Sequence, residues 1–476
     1  MVMEAGSAVA YASRHASVST RRVEADGSLL FHADSGRERL LNATGAFVWD
    51  RLDGTRGLDR IANEVTSEFD GISEAEAAQD VVALVAALAH EGLAESSAGP
   101  RGEPLPEVAK VADEDAPREI DISITGQCNA ACTYCFYADE MERRPDLPAS
   151  HWLAFFAELG ELAVRRVCLS GGEVFTHPDL WTLLDGIVAQ RMRFSLLTNG
   201  TLITDTTIAR LDAAHRRARL DSVQVSIDGS CAEIHDACRG KGSFAAALRG
   251  LRLLKQAGFP VTCRVTITPH NVDDLERIAE LLLEDVGLAS FGTNDAVEMG
   301  SCRHANGIRL SPELERAAML GLARLERRYP GRVTAMAGPL ARWRMFRAME
   351  TARSAGTEPT PRMGRLTACG CVFNKLAVNH DGTITPCNML ATMVMGRIGE
   401  TPIRPMWQAH PHLRALRERR QIPMDDVVEC AGCEWIRYCN GSCPAVPFDL
   451  TGSLRSPNPV DCYRRFRQEV GPVPEP

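Results

Sequence analysis

The sequence predicts an α/β protein, with a smaller unit on each side of the sheet-building region. Three observations predict it. Between about residues 119 and 330, six strand candidates alternate with helix candidates. Ahead of them, short strand-like runs lead into three helical patterns. Behind them, eight of the sixteen cysteines fall between Cys369 and Cys462. The 476-residue length allows about two to four domains. The composition, 45% hydrophobic and 24% charged, is that of an ordinary globular protein. A net charge of −9 argues against a nucleic-acid partner. No apolar run reaches the length of a membrane span, and the opening MVMEAGSAVA lacks the basic-then-apolar pattern of a secretory signal. A cytoplasmic protein with no membrane partner is expected, in a compartment where disulfides are disfavoured.

Residues 1–95 read as a separate unit. Segments 18–23 and 29–32 are strand-like, with Asp26-Gly27 as the turn between them, and 37–41 is a third short strand. Segment 44–52 carries Phe47 and Val48. Segment 58–69 puts Leu58, Ile61, Ala62, Val65 and Phe69 on one helix face. Ser73 with Glu76 is a capping box opening a third helix with a Val81, Leu84, Val85, Leu88 stripe, and Gly92 fits its end. Short strands with three helices make a winged-helix-like unit. A DNA-binding role is disfavoured because Arg60 shares its helix with Asp59, Glu64 and Glu68. Residues 96–118, rich in Pro, Gly, Ser and charge, read as a linker.

In the region 119–335, strands are expected at 120–125, 167–170, 194–198, 223–227, 263–268 and 290–294. Helices are expected at 152–159, 180–189, 206–214, 244–256 and 275–283, and a closing helix at 312–329. Repeated βα units imply a parallel sheet, whose ligands bind at the C-terminal strand ends. The chemistry-bearing residues fall there. Cys128, Cys132 and Cys135 follow the first strand as C-x3-C-x2-C. Thiolates are soft ligands that suit iron–sulfur clusters or zinc, and three of them leave a coordination position open. Gly171-Gly172-Glu173 ends the second strand, where Glu173 can accept from an ammonium. Thr198-Asn199-Gly200 ends the third and Ser226-Ile227-Asp228-Gly229 the fourth, with Arg239 eleven residues beyond Asp228. After a helical bridge at 336–364, residues 365–476 carry Cys369, Cys371, Cys387, Cys430, Cys433, Cys439, Cys443 and Cys462, enough for two four-ligand sites. Cys430-x2-Cys433 alone would also suit zinc. The scattered Cys168, Cys231, Cys238, Cys263 and Cys302 read as small buried hydrophobes.

The cysteine loop and the strand-end motifs, in this order, resemble the radical S-adenosylmethionine (SAM) superfamily, a partial (β/α)6 TIM-like barrel. The resemblance implies a catalytic 4Fe–4S cluster on Cys128, Cys132 and Cys135, with SAM on its open iron. Glu173, with Gly171 and Gly172, would hold the SAM amino group, and Asn199 would lie in the same site. Ser226 and Asp228 would contact ribose and the methionine part, Arg239 the carboxylate and Tyr134 the adenine. The C-terminal cysteines resemble a SPASM domain. That resemblance implies auxiliary cluster I on Cys371, Cys387 and Cys443, with Cys369 as the candidate fourth ligand, and cluster II on Cys430, Cys433, Cys439 and Cys462. The stretch from Leu30-Phe31-His32 through Arg37–Trp49 to Leu52-Asp53-Gly54 resembles the PqqD-like recognition element of peptide-modifying systems, where a leader peptide adds as a strand. Together these imply a maturase that uses SAM and three 4Fe–4S clusters, with a flavodoxin- or ferredoxin-like reductant. It would bind a ribosomal precursor peptide by its leader and form an oxidative crosslink (thioether, C–C or ether). Asn388 stands where sulfatase-maturating relatives carry an aspartate base, which counts against formylglycine formation. The rival readings are an oxidase of another protein or small molecule, and a non-enzymatic winged-helix redox sensor.

Overall fold

The computed structural model describes residues 9–23, 26–108, 111–141, 144–213, 215–357 and 363–476. The N-terminal unit runs Tyr11–Arg14 (β1), Val18–Arg22 (β2), Ser28–His32 (β3), Glu38–Leu41 (β4), Ala43–Arg51 (α1), Asp53–Gly57 (β5), Leu58–Glu68 (α2), Glu74–His90 (α3) and Ala94–Ser97 (β6). Asp26 takes the left-handed conformation that the β2–β3 turn needs (φ 57°). Asn42 caps α1, and the Ser73–Glu76 capping box opens α3. Leu30, Trp49, Leu52, Ile61, Val85 and Leu88 pack the core, and the buried Trp49 Nε1 donates to the Thr20 hydroxyl (2.9 Å). There are two three-stranded antiparallel sheets, ordered β2-β3-β4 and β5-β1-β6. The second was not expected, because YASR, DGTRG and AESS carry almost no apolar alternation.

The stretch read as a linker is tied down at both ends. It begins in β6. Arg101 N–H and Leu105 N–H then donate to the Gly54 and Asp53 carbonyls (2.8 and 3.0 Å), and Arg22 N–H donates to Val111 (2.7 Å). Val111 and Ala116 are buried in the central core. Its composition signals irregular backbone, and hydrogen bonding removes the freedom.

The central sheet has ten strands. Glu119–Thr125 (β7), Arg166–Gly171 (β8), Arg193–Thr198 (β9), Leu220–Ser226 (β10), Val261–Ile267 (β11), Phe291–Asp295 (β12) and Val333–Ala335 (β13) are parallel neighbours in that order. The six expected strands are present, and β13 adds a short seventh. On the other side of β7, Lys375–Val378 (β14) pairs parallel with it, and Thr383–Thr385 (β15) and Gly396–Arg397 (β16) continue antiparallel. The C-terminal unit thus covers the β7 edge, which would otherwise present unpaired backbone groups. The bridge holds the helix Gly338–Ser354.

Along β7, Ile120, Ile122 and Ile124 pack with Trp152, Phe155 and Leu159 of the helix Ala149–Glu161. Alternation turns Asp121 and Ser123 to the other face, shared by Cys168, Ser195, Gln224 and Arg264. That inner face is polar. Cys168 lies on it, half-buried beside Asp121 and Lys375, and is not the buried hydrophobe expected. Among the described residues no helix is long and apolar enough to cross a membrane.

The N-terminal unit sits against the N-terminal ends of β8, β9 and β10. Arg165 and Arg166 bond Glu38 (2.7 and 3.4 Å). Arg193 Nη1 donates to the Ala33 and Asp34 carbonyls (2.7 and 2.8 Å), and Arg219 pairs with Asp34 (2.6 Å). Arg21, 1% exposed, donates to the carbonyls of Ala112, Ala116, Pro117, Leu162 and Ala163 and pairs with Asp113. Replacing it takes the guanidinium donor from five carbonyls, while Asp113 keeps its bonds to Arg118. Arg21→Met is expected to destabilise the protein by about 3–5 kcal/mol, read as an earlier first transition in denaturant unfolding.

Candidate active site and cluster loops

The loop after β7 is fixed before any ligand is considered. The Asp146 carboxylate accepts from the Thr125 hydroxyl (2.6 Å) and Gly126 N–H (2.7 Å), closing the strand into the loop. Gly172 N–H donates to Thr125 O and Glu173 N–H to Gln127 O, both 2.8 Å. A Cβ on Gly172 would lie 2.0 Å from Gln127 O, and one on Gly171 (φ 121°) 2.4 Å from Thr125 O. These glycines therefore admit the cysteine loop itself against β8. Asn199 Nδ2 reaches Asn129 (2.8 Å), and Asn129 reaches Thr201 (2.9 Å), tying the loop to the end of β9. Beyond it, Thr133 N–H bonds Cys238 O (3.0 Å) and Ser301 N–H bonds Cys135 O (2.9 Å).

Cys128 is exposed, and Cys132 and Cys135 are half-buried. Burial raises all three thiols, Cys135 to about 11; Cys128 feels the charge of Cys132, Cys135 that of both others, and Cys132 that of Arg239 and Asp228. Glu173, 1% exposed, accepts from the Thr198 hydroxyl (2.6 Å), Asn199 N–H (2.7 Å) and Phe175 N–H (3.2 Å). Burial raises its carboxyl. Much of its accepting capacity is thus spent on joining β8 to β9. Asp228, 2% exposed, accepts from Thr266 N–H (2.7 Å), the Tyr134 hydroxyl and Arg239 Nε. Arg239 lies 5.5 Å from the Tyr134 ring centre. Burial opposes its charge, and Asp228 more than restores it. Ser226 ends β10 beside Arg264 of β11. The structure therefore brings Tyr134, Gly171, Gly172, Glu173, Asn199, Ser226, Asp228 and Arg239 to one end of the sheet with the cysteine loop.

Two contributors carry no sequence motif. Asp146 is one. His380, in the β14–β15 turn and 2% exposed, is the other. Its Nε2 meets the Arg144 carbonyl (3.0 Å), which can only accept, so Nε2 carries the proton and Nδ1 accepts from the Tyr137 hydroxyl (2.8 Å). Gly126 is glycine where the His380 ring crosses it, since a Cβ there would lie 2.9 Å from Nε2.

The C-terminal thiols fall into two groups. Cys369 and Cys371 share a side-chain hydrogen bond that lowers the Cys369 thiol and raises the Cys371 thiol. Cys387 and Cys443 interact electrostatically with each other and with Cys369. Cys430, Cys433, Cys439 and Cys462 form the second group around a cavity of about 260 Å³. Sets of three and four soft sulfur donors, with room between the sulfurs of the second group, fit iron–sulfur clusters.

A partial barrel with a three-cysteine loop at its strand ends is a radical SAM architecture, and residues 122–282 match the radical SAM superfamily. Residues 27–94 match coenzyme PQQ synthesis protein D (PqqD), and 369–434 an iron–sulfur cluster-binding (SPASM) domain. The protein is thus a radical SAM enzyme with a PqqD-like and a SPASM domain, and its cofactors are SAM and 4Fe–4S clusters. It is similar to the AdoMet-dependent heme synthase of Methanosarcina barkeri (28% identity; 74% of this chain, 99% of the relative). It is also similar to the PqqA peptide cyclase of Ruegeria pomeroyi (27%; 73% and 88%). The mycofactocin maturase MftC of Mycobacterium ulcerans is 36% identical over 35% of this chain and 44% of that protein. In fold it resembles Streptococcus suis SuiB bound to precursor peptide SuiA (TM-score 0.63, 15% identity; 95% and 100%).

The cysteine loop lies on Gly172, so Gly172→Ala is expected to cut SAM cleavage by about a hundredfold or more while Gly99→Ala, in open space, leaves it unchanged. Release of 5′-deoxyadenosine by the reconstituted protein measures both.

Proposed function

We propose that this enzyme modifies a ribosomally made precursor peptide, held by its leader on the N-terminal unit, by forming an oxidative crosslink. The observation that carries the reading is the open β4 edge. Among the described residues β4 pairs with β3 alone, so one row of its backbone groups has no described strand beside it. Leu40 on that strand is 66% exposed and Val82 on α3 is 50% exposed. An added peptide strand would satisfy the edge and bury both side chains. The PqqA peptide cyclase, and SuiB with its bound precursor peptide, support a peptide substrate for this chain.

In this reading Cys128, Cys132 and Cys135 hold the SAM-binding cluster. Cluster and SAM, when bound, would supply radical hydrogen-atom abstraction from the substrate. The chain's own residues position and shield that chemistry. Glu173, locked by Thr198 and Asn199, offers its remaining accepting capacity to the SAM ammonium. Asp228 and Arg239 stiffen the Tyr134 side of the site, and Ser226 and Asn199 line it. Cys369, Cys371, Cys387 and Cys443 hold auxiliary cluster I, and Cys430, Cys433, Cys439 and Cys462 hold cluster II. A flavodoxin- or ferredoxin-like reductant and a cytoplasmic setting suit such a protein. The units run 1–95, 96–118, 119–335, 336–364 and 365–476.

The heme synthase relatives favour a second reading, a SAM-dependent step in heme synthesis. Against it, 99% of the M. barkeri protein aligns with 74% of this chain, so about a quarter of this chain has no counterpart there.

The test uses synthetic peptide copied from a short reading frame beside this gene, incubated anaerobically with the reconstituted enzyme, SAM and reductant. Loss of two hydrogens per modification is expected by mass spectrometry. The Leu40→Arg/Val82→Glu double variant should bind this peptide at least about tenfold more weakly by fluorescence anisotropy, with peptide-independent SAM cleavage unchanged. Equal binding by that variant would refute the leader site.

A further inference from the structure

Three of the most deeply buried arginines have carboxylates against them. Arg21 has Asp113, Arg239 has Asp228, and Arg342 has Asp295, Glu315 and Asp461. Arg419 differs. It is 0% exposed, and among the described residues no carboxylate pairs with it. Its guanidinium donates to four backbone carbonyls: Nε to Leu454 (2.7 Å), Nη1 to Thr367 and Ser442 (the second at 3.3 Å), and Nη2 to Ser456 (2.9 Å). Carbonyl oxygens satisfy the N–H donors but do not cancel the unit charge, and an uncompensated buried charge is strongly unfavourable. The acidic groups whose charge it would feel are the thiols of Cys443 and Cys369, which become negative as thiolate ligands.

The carbonyls belong to the same loops. Thr367 is two residues before Cys369, and Ser442 directly precedes Cys443. Cys369 (φ 62°) and Ser442 (φ 53°) both have positive φ, which costs a non-glycine residue energy unless its surroundings hold it. Arg419 bonds the chain on both sides of this strain. Lys375, the other cation near these thiols, is already paired with Asp121 (3.0 Å).

We propose that Arg419 is the built-in counter-charge of auxiliary cluster I and raises the reduction potential of that cluster. The proposal rests on the assignment of Cys369, Cys371, Cys387 and Cys443 to the cluster. Reduction adds one negative charge to a cluster. A fixed cation nearby, in a medium that screens poorly, stabilises the reduced form. Four carbonyl bonds keep the guanidinium from turning away to solvent, so its field is constant. Arg419 is a positioning and tuning residue; it does not touch substrate.

The test is an EPR-monitored redox titration of the reconstituted full-length protein, with the cluster I signal identified as the one lost in Cys387→Ala. Arg419→Gln keeps a hydrogen-bond donor and removes the charge. At a fixed potential its reduced-to-oxidised ratio should fall about tenfold, which is ~59 mV for a one-electron couple. Arg419→Lys keeps the charge and should stay within about threefold of wild type. The exposed Arg420→Gln should change nothing. An iron-replete Arg419→Gln with an unchanged ratio overturns the proposal. If Arg419→Gln loses cluster I iron, Arg419→Lys decides: an intact cluster at the wild-type ratio supports the counter-charge, and loss there too overturns it, leaving a loop brace. Wild-type protein without iron at these cysteines would overturn the cluster assignment itself, an outcome read before any Arg419 variant is compared.

Discussion

Two backbone hydrogen bonds, Gly172 N–H to Thr125 O and Glu173 N–H to Gln127 O, decide where the cysteine loop lies. They exist only because Gly171 and Gly172 have no Cβ, since either side chain would occupy the space of the loop backbone. With the loop held against β8, the neighbouring strand ends become a frame around it. Glu173 turns across to Thr198 and Asn199, Asn199 returns to Asn129 within the loop, and Asp228 draws in Tyr134 and Arg239. The three thiols are thus presented by a network that closes on itself at one end of a parallel sheet, where ligands of such sheets bind.

The same economy joins the units. Buried arginines sit at the seams: Arg21 and Arg193, each satisfying several carbonyls, between the N-terminal unit and the barrel, Arg342, paired with carboxylates, between the end of β12 and the loop of Cys462, and Arg419, again on carbonyls, within the loops of Cys369 and Cys443. A guanidinium has five donors in a rigid fork, so one side chain can saturate irregular backbone where no strand or helix does so. This suits the irregular stretch 112–117, whose Ala112, Ala116 and Pro117 carbonyls accept from Arg21.

Much of this was legible in the sequence. The six strands showed because one face of each is apolar and packs on helices, as Ile120, Ile122 and Ile124 do. The cysteine spacing and strand-end motifs showed because they are local. What escaped was either short or distant in sequence. β1, β5 and β6 are four or five residues long with hardly any apolar pattern. Cys168 is ordinary in sequence and takes its character from Asp121 and Lys375 on neighbouring strands. Asp146 and His380 act on the loop from 20 and more than 200 residues away, which no motif records. Glu173 was expected to hold the SAM amino group; its bonds to Thr198 and Asn199 depend on β8 and β9 being neighbours.

The direction of the barrel bears on how a peptide would be handled. The N-terminal unit contacts the start of β8 through Glu38 with Arg165 and Arg166, whereas the cysteine loop lies beyond its end at Gly171. Six residues of strand separate these levels, about 17–20 Å. A peptide paired to β4 therefore starts at the opposite end of the sheet from the radical chemistry. If it ran antiparallel to β4, its C-terminal continuation would emerge at Glu38, beside the barrel, whereas the parallel direction would carry it away. An extended chain covers about 3.3–3.6 Å per residue, so about six residues are needed even for the straight path, and more for a route around the packed helices. Separating capture from chemistry in this way lets one recognition edge serve core residues of different identity, provided that they lie far enough along the peptide.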